Sequence, residues 1–443
     1  MTKYIKPLAL LVSLVMVTIS CETDFNNPNA ATEDQVFSSR EGIFAAAVGL
    51  QQLYSTTGVR WILETPAITT REGGITTTFQ NMIELEDGGA ELPNFNSNVQ
   101  GLWSSMLRVM KIAEDIERSA ESIELEAGTQ TGLSAHAKLF KAMAIGSLSQ
   151  NYEQVIVNTS NDNDAAFVSR IEGFQAAIAL LNEASTLLNG TAPSDEFETS
   201  ITQGNIDLQN TIQAMIARYQ LFSGNYDAAI TAASAVDQSS TSIFAYDAQN
   251  QNPMWARIIQ NDAPNFKPRD NFGLPDSFVF EAGDGRLAFY LIPLDETNQN
   301  GLPIEDVSGF FNEITEPIPV YMPDEMNLII AEANIRKTAA DLGAATTALN
   351  LVLTDTDDPF DVNANVAAYS GANTSEALLD EIYKSRRAEL FLTGMSLEDS
   401  RRFNRPQPSG SAREFTEERN RNFYPFPDIE RNSNPNTPDD PTI

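Results

Sequence analysis

Along most of this chain the apolar residues recur at helical spacing, not at the alternation of a half-buried strand. Trp103, Met106, Leu107, Met110 and Ala113 fall three, one, three and three positions apart, which lines one helix face. Leu139, Phe140, Met143 and Leu148 form a second stripe, and Phe174, Ala177, Ile178, Leu181 and Leu188 a third. Ile212, Met215, Ile216, Tyr219 and Phe222 form a fourth. Met326, Ile329, Ile330 and Ala333 give a fifth, and Leu378, Leu379, Ile382, Leu390 and Phe391 a sixth. The pattern predicts an all-α dominated scaffold over about residues 101–237 and 324–403.

Two of these stretches read as helical hairpins. From Ala214 to Ile230 the chain carries Ala217, Phe222, Gly224, Asn225, Tyr226 and Ala229. Gly224 and Asn225 make a turn, Ala217 and Ala229 let antiparallel helices approach, and Tyr226 plugs their crossing. This resembles a tetratricopeptide repeat, with Gln220 where that repeat usually has an aromatic residue. Met326–Lys337 followed by Leu342–Leu353 fits a second pair, with Ala331, Ala333, Ala344, Ala345 and Ala348 between the helices. Such repeats stack through shared cores.

Between the helices lie Gly- and Pro-rich stretches, about 56–98 and about 239–320, read as loop-rich insertions. Short strands are expected at Phe278–Phe280 and Leu287–Ile292. Recognition residues concentrate in such loops. Trp61 stands beside Arg60 outside any clear stripe and admits a binding or a core role. Trp255, in Asn252-Pro253-Met254-Trp255, admits the same two. Trp103, within the first stripe, reads as core. Phe79, Phe266 and Phe272 are further loop aromatics, and Arg71, Arg269 and Asp270 are candidate partners for ligand hydroxyls. The expected platform is Trp61 with Trp255, then Phe79 and Phe272.

Composition narrows the chemistry. The chain has 443 residues, 28 Lys plus Arg against 61 Asp plus Glu, and a formal charge of −33, which argues against a nucleic-acid partner. One Cys excludes an internal disulfide, and one His excludes a multi-His metal site. His136 reads as a surface or packed helix residue. Asp355, Asp357, Asp358, Asp361 and Asn363 space their oxygens in a way that suggests calcium. The segment lacks the Gly and terminal Glu of an EF-hand loop, so a solvated acidic loop is expected, with no metal and no cofactor.

The N-terminus reads as a secretion signal over residues 1–20. Lys3 and Lys6 precede an apolar run from Leu8 to Ile19, too short to span a bilayer. The run ends at Ser20-Cys21, which resembles a bacterial lipobox and implies a lipidated Cys21. Glu22-Thr23-Asp24 resembles the surface-export signal of Bacteroidetes lipoproteins, and residues 21–35 read as a tether. Residues 36–443 read as one domain.

In order along the chain, these segments resemble the SusD/RagB family of outer-membrane lipoproteins. The carrying motifs are Asn27-Pro28 with Phe37-Ser38, Ala45 to Tyr54, Leu102-Trp103, the Gly224-Asn225-Tyr226 hairpin and Asp284-Gly285-Arg286. Late in the chain come Glu325 to Asn334, then Ser385-Arg386-Arg387-Ala388-Glu389-Leu390-Phe391 with Gly394, Asp399 and Arg401-Arg402-Phe403, and finally Tyr424-Pro425-Phe426-Pro427. Thr393 and Ser396 depart from the family's acid and Arg, within a motif that is structural. The resemblance implies a tetratricopeptide-like fold and a non-enzymatic, surface-exposed outer-membrane lipoprotein. It would bind oligosaccharides and deliver them to a SusC-type TonB-dependent barrel. The alternatives are a peptide-binding member of that family or a secreted all-helical glycan hydrolase or lyase.

Overall fold

Ser39 opens helix α1 (Arg40–Leu53) by accepting a hydrogen bond from the Gly42 N–H at 3.1 Å, which satisfies a donor that every helix start leaves unpaired. This computed structural model describes residues 36–260, 264–408, 415 and 417–443, so the leader, Cys21 and the tether lie outside the described residues. A wide turn of π type (Tyr54–Gly58) joins α1 to α2 (Val59–Thr69). After α3 (Gln80–Asp87) comes α4 (Ser97–Ser122), whose cap Asn96 accepts from the N–H groups of Asn98 and Val99. Next are α5 (Ala127–Asn151), α6 (Arg170–Gly190), α7 (Leu208–Phe222) and α8 (Tyr226–Ala233). From α4 to α8 each helix packs on its predecessor. Short helices α9 (Trp255–Ile258) and α10 (Gly285–Tyr290) punctuate an irregular stretch. The chain then returns through α11 (Pro323–Arg336), α12 (Leu342–Leu353), α13 (Ser375–Glu389), α14 (Ser396–Arg402) and α15 (Asp428–Ser433). Helix α11 packs on α8 as well as on α12, so the two helical runs form one stack.

Among the described residues the strands form four antiparallel two-stranded ribbons. In chain order they are β1 (Gly73–Ile75), β2 (Gln154–Ile156), β3 (Phe167–Ser169), β4 (Ile243–Phe244), β5 (Phe266–Pro268), β6 (Leu291–Thr297), β7 (Pro303–Val307) and β8 (Ile318–Pro319). β1 pairs with β5, β2 with β3, β4 with β8 and β6 with β7. The expected hairpins are present. Gly224 sits at φ +77°, a left-handed conformation that favours glycine, and Ala217 and Ala229 are both fully buried. Ala331, Ala345 and Ala348 are buried with Leu349 and Val352 in the second pair.

Three expectations are corrected. Residues 56–98 are not mainly loop, since α2 and α3 lie within them. Leu287–Tyr290 is helical, because Asp284 caps α10 by accepting from the Arg286 N–H at 3.1 Å; the strand begins only at Leu291. Phe278–Phe280 forms no strand; Phe278 and Phe280 are buried, packing edge-on against Tyr383 and Phe272.

Trp103 is core, as its stripe predicts. Its ring meets Tyr152 edge-on at 4.8 Å and stacks on Phe167 at 5.7 Å, and its N–H donates to Glu430 at 3.0 Å. The late Arg-rich motif forms a buried ionic lattice. Arg386 donates twice to Asp399 at 2.8 and 3.1 Å, and Arg402 bridges Asp399 and Glu332. Arg387 donates to the carbonyls of Phe272 and Thr70. Buried charges persist when paired and hydrogen-bonded in this way, so the motif joins α11, α13 and α14 to the chain around residue 70. Ser396, one of the departures, accepts from the Thr70 hydroxyl at 2.8 Å.

Candidate functional site

The two candidate tryptophans lie 194 positions apart in sequence, and a single buried carboxylate joins their segments. Glu64, on α2 one turn after Trp61, is fully buried. Arg257, two residues after Trp255, donates Nε to Glu64 Oε2 at 2.5 Å and Nη2 to Oε1 at 3.0 Å. Asn98 of α4 adds a bond to Oε1 at 2.9 Å, and the Arg60 Nε lies 3.8 Å from Oε2. A forked guanidinium on a carboxylate fixes distance and direction together. The network continues through asparagines: Asn81 donates to Asn98 at 2.6 Å, and Asn96 donates to the Asn81 carbonyl and to Glu84. It therefore pins the starts of α3 and α4 against α2 and α9.

Aromatic rings edge this network. Trp61 is half-buried, not free in a loop; it lies on α2, with the Arg60 guanidinium 4.0 Å over its ring. A side chain at Gly101 would collide with the indole, so the glycine lets the ring rest on α4. Burial lowers the Arg60 pKa against the pull of Glu64. Trp255 is half-buried at the start of α9, positioned by Asn252, whose side-chain carbonyl oxygen accepts the N–H groups of Met254 and Trp255 at 2.9 and 3.0 Å. Phe79, at the cap of α3, is 58% exposed, and Phe95, just before the cap of α4, is 61% exposed. Exposed aromatic rings are enriched at interaction surfaces, where they offer a wide apolar face.

Other expected ligand residues are placed elsewhere. Phe272 is fully buried among Phe280, Tyr290 and Phe391, so its ring presents no face to a ligand. Arg71 is 1% exposed and donates to the Glu86 carbonyl at 2.7 Å; burial pushes its guanidinium down to about 10. It serves the interior, not a ligand. Arg269 is half-buried and pairs with the more exposed Asp270 at 3.3 Å. The charge of Glu86 acts on both Arg71 and Arg269. Glu86 lies seven residues after Phe79 along α3, about 10 Å at 1.5 Å per residue, so this polar cluster sits at the far end of that helix.

Sequence reasoning missed Arg60, Glu64, Asn98, Arg257 and Phe95. The charged pair had no local signal because its partners are remote in sequence. Phe95 had one, an aromatic in Pro93-Asn94-Phe95-Asn96 directly before a helix. Both Glu64 oxygens accept hydrogen bonds, Oε1 from Asn98 and Arg257 and Oε2 from Arg257. A separate cleft of about 630 Å³ lies between the end of α6 and the start of α7, lined by Leu188, Pro193, Phe197, Asp207 and Ser240. None of the expected ligand residues lines it.

No protein-family model and no curated protein sequence matches the chain. Solved structures do. A SusD superfamily protein from Bacteroides vulgatus superposes with a TM-score of 0.65 at 15% identity, covering 91% of this chain and 97% of its own. A SusD homologue from Bacteroides thetaiotaomicron gives 0.68 at 11% identity over 93% and 99%. A third structure, described as holding a xylogluco-oligosaccharide, gives 0.65 at 14% identity over 90% and 99%.

Proposed function

We propose that this chain, which has the SusD fold, is a non-enzymatic glycan-binding lipoprotein of the outer-membrane surface. It takes oligosaccharides at the aromatic face around Glu64 and passes them to a SusC-type TonB-dependent barrel. One observation supports the reading: the Glu64–Arg257 pair joins the two segments that carry Trp61 and Trp255, and Phe79 and Phe95, beside the network's Asn81 and Asn96 in sequence, are exposed. Sugar rings present C–H faces to aromatic rings and hydroxyls to nearby polar groups, and this face offers both. Arg60, over the Trp61 ring, and Asn81, bonded to Asn98, are polar side chains beside it. The SusD-like carbohydrate-binding neighbours and the xylogluco-oligosaccharide complex support the ligand class. The lipobox-like Ser20-Cys21 supports the anchor, and the sequence resemblance to the SusD/RagB family supports the barrel partner.

The test is binding of the soluble body to a polysaccharide and oligosaccharide panel, xyloglucan fragments included. Trp61→Ala and Trp255→Ala should each weaken binding at least tenfold, since truncating a central aromatic often costs about 2 kcal/mol or more. Parent-like binding by both variants would place the platform elsewhere. New reducing ends or unsaturated products in the same incubations would make the protein an enzyme and overturn the reading.

A further inference from the structure

Three carboxylates from distant parts of the chain meet in the interior, away from the aromatic face. Asp324 lies in the first turn of α11, Asp358 in the loop after α12, and Glu389 is the last residue of α13. All three are buried, and one oxygen from each lies within 4.8 Å of the others. Two calcium–oxygen bonds of about 2.4 Å span the same distance.

The surroundings leave this charge unmatched. Glu389 is fully buried, and neither of its oxygens has a hydrogen-bond partner among the described residues. Its nearest cation, Arg286, stands 3.8 Å away and already forks onto Asp284 at 2.9 and 2.7 Å. Glu389 also sits at the C-terminal end of α13, where the helix dipole disfavours an acid and favours a cation. Asp324 uses Oδ1 to accept from Asn327 at 2.8 Å and leaves Oδ2 buried without a partner among the described residues. Outside the trio, the Tyr290 hydroxyl is fully buried and likewise unpartnered, and Glu389 and Asp358 are the charges acting on it most strongly. A buried polar group without a partner costs free energy, and several around one point mark a place for something that supplies bonds.

We propose that Asp324, Asp358 and Glu389 form a calcium site that clamps the acidic loop between the two helices. The donor set is all oxygen and, with all three acids ionised, carries three negative charges, which selects a hard divalent cation over a transition metal. Calcium fits better than magnesium, because magnesium keeps several waters while these ligands are held by protein and shut from solvent. The loop is already shaped around Asp358. Its Oδ1 accepts from the Phe360 N–H at 2.7 Å, and its own N–H donates to Asn363 at 2.8 Å. The Gly285 N–H donates to Ala364 at 2.9 Å, so the same loop touches the Asp284–Arg286 turn. A calcium ion there ties that turn, the second helical pair and the end of α13 together. Burial raises Asp324 to about 7 and Asp358 to about 6, and a bound cation would oppose both shifts. The site shares only Asp358 with the acidic-loop spacing, whose other oxygens belong to Asp355, Asp357, Asp361 and Asn363.

The test uses the full chain, stripped with EDTA and dialysed into metal-free buffer. Calcium chloride titrated by calorimetry should bind with one tight equivalent and raise the melting temperature, and magnesium chloride should bind at least tenfold more weakly. Asp358→Asn and Glu389→Gln should each lose at least tenfold in calcium affinity, while Asp355→Asn with Asp361→Asn should keep it. If Glu389→Gln does not fold, Asp358→Asn carries the comparison. A folded parent that binds no calcium at about 1 mM, the weak end of the range for protein-held calcium, overturns the proposal. So does binding that survives Asp358→Asn but is lost with Asp355 and Asp361, which would mark adventitious attraction to surface acids.

Discussion

Replacing Arg257 with Met should loosen the protein and its ligand face together. Glu64 is fully buried and receives two of its bonds from this guanidinium, at 2.5 and 3.0 Å. Breaking a buried pair from one side costs about 3–5 kcal/mol, because the remaining charge is left uncompensated. Here the loss belongs near about 3 kcal/mol: the Arg257 side chain is 17% exposed, while Asn98 at 2.9 Å and Arg60 at 3.8 Å still face Glu64. Urea unfolding reads that loss. Glu64→Met alone should cost a similar amount, since it strands Arg257 and Asn98. The double variant should recover about 1.5 kcal/mol or more of the summed loss, because two apolar side chains replace a desolvated pair. Glycan affinity separates holding from stability. If the pair positions the tryptophan segments, the double variant regains stability while its affinity stays at least tenfold below the parent. An Arg257→Met protein within about 1 kcal/mol of the parent, binding glycan normally, would refute the reasoning.

Trp103→Ala should cost about 3–5 kcal/mol in urea unfolding, because it empties a ring-lined core and removes the donor to Glu430. His136 is fully buried against Phe140 and Phe197, and burial pushes its pKa down to about 3 from an ordinary 6.5. The unfolded chain takes up this proton first, so stability falls as pH drops from about 6.5 towards 3, by a few kcal/mol in all. The parent's unfolding free energy minus that of His136→Leu should fall as pH drops through that window; a difference independent of pH refutes it. Cys21→Ala should release the protein from membranes, and mass spectrometry of the parent should find acyl chains on its new N-terminus.

The scaffold was legible because its signals are local. Each apolar stripe from Trp103 to Phe391 needed only its own window, and the Gly224 turn needed three residues. The ionic lattice of Arg386, Arg387, Asp399 and Arg402 was legible only as a motif, since its partners Glu332 and Thr70 lie far off in sequence. Phe272 and Arg71 were misplaced for a related reason. Both stand in Gly- and Pro-rich surroundings that look exposed, yet both have left-handed backbones, with φ of +53° and +64°. Those bends turn the chain inward, and no window of sequence marks where an irregular segment is covered by another.

Trp61 shows how a helical residue can look like a loop residue. Helix α1 buries Ile43, Ala47 and Leu50, and Tyr54 at the start of the π-type turn continues that face, at spacings of four, three and four. Continued without a break, that face would pass through position 57 and reach position 61, seven beyond Tyr54. The π-type turn over Tyr54–Gly58 adds one residue to a helical turn and rotates α2 by about 100° relative to α1. Ile62 and Leu63 then become the buried positions, and Trp61 moves to the margin, half-buried beside Arg60 and Gly101. The interruption both hides the helix from a periodicity search and frees the indole from the core. The same turn delivers Glu64 inward, one turn on, to the point where Arg257 arrives from the second segment. The proposed platform's geometry therefore rests on a local irregularity that sequence periodicity discards as noise.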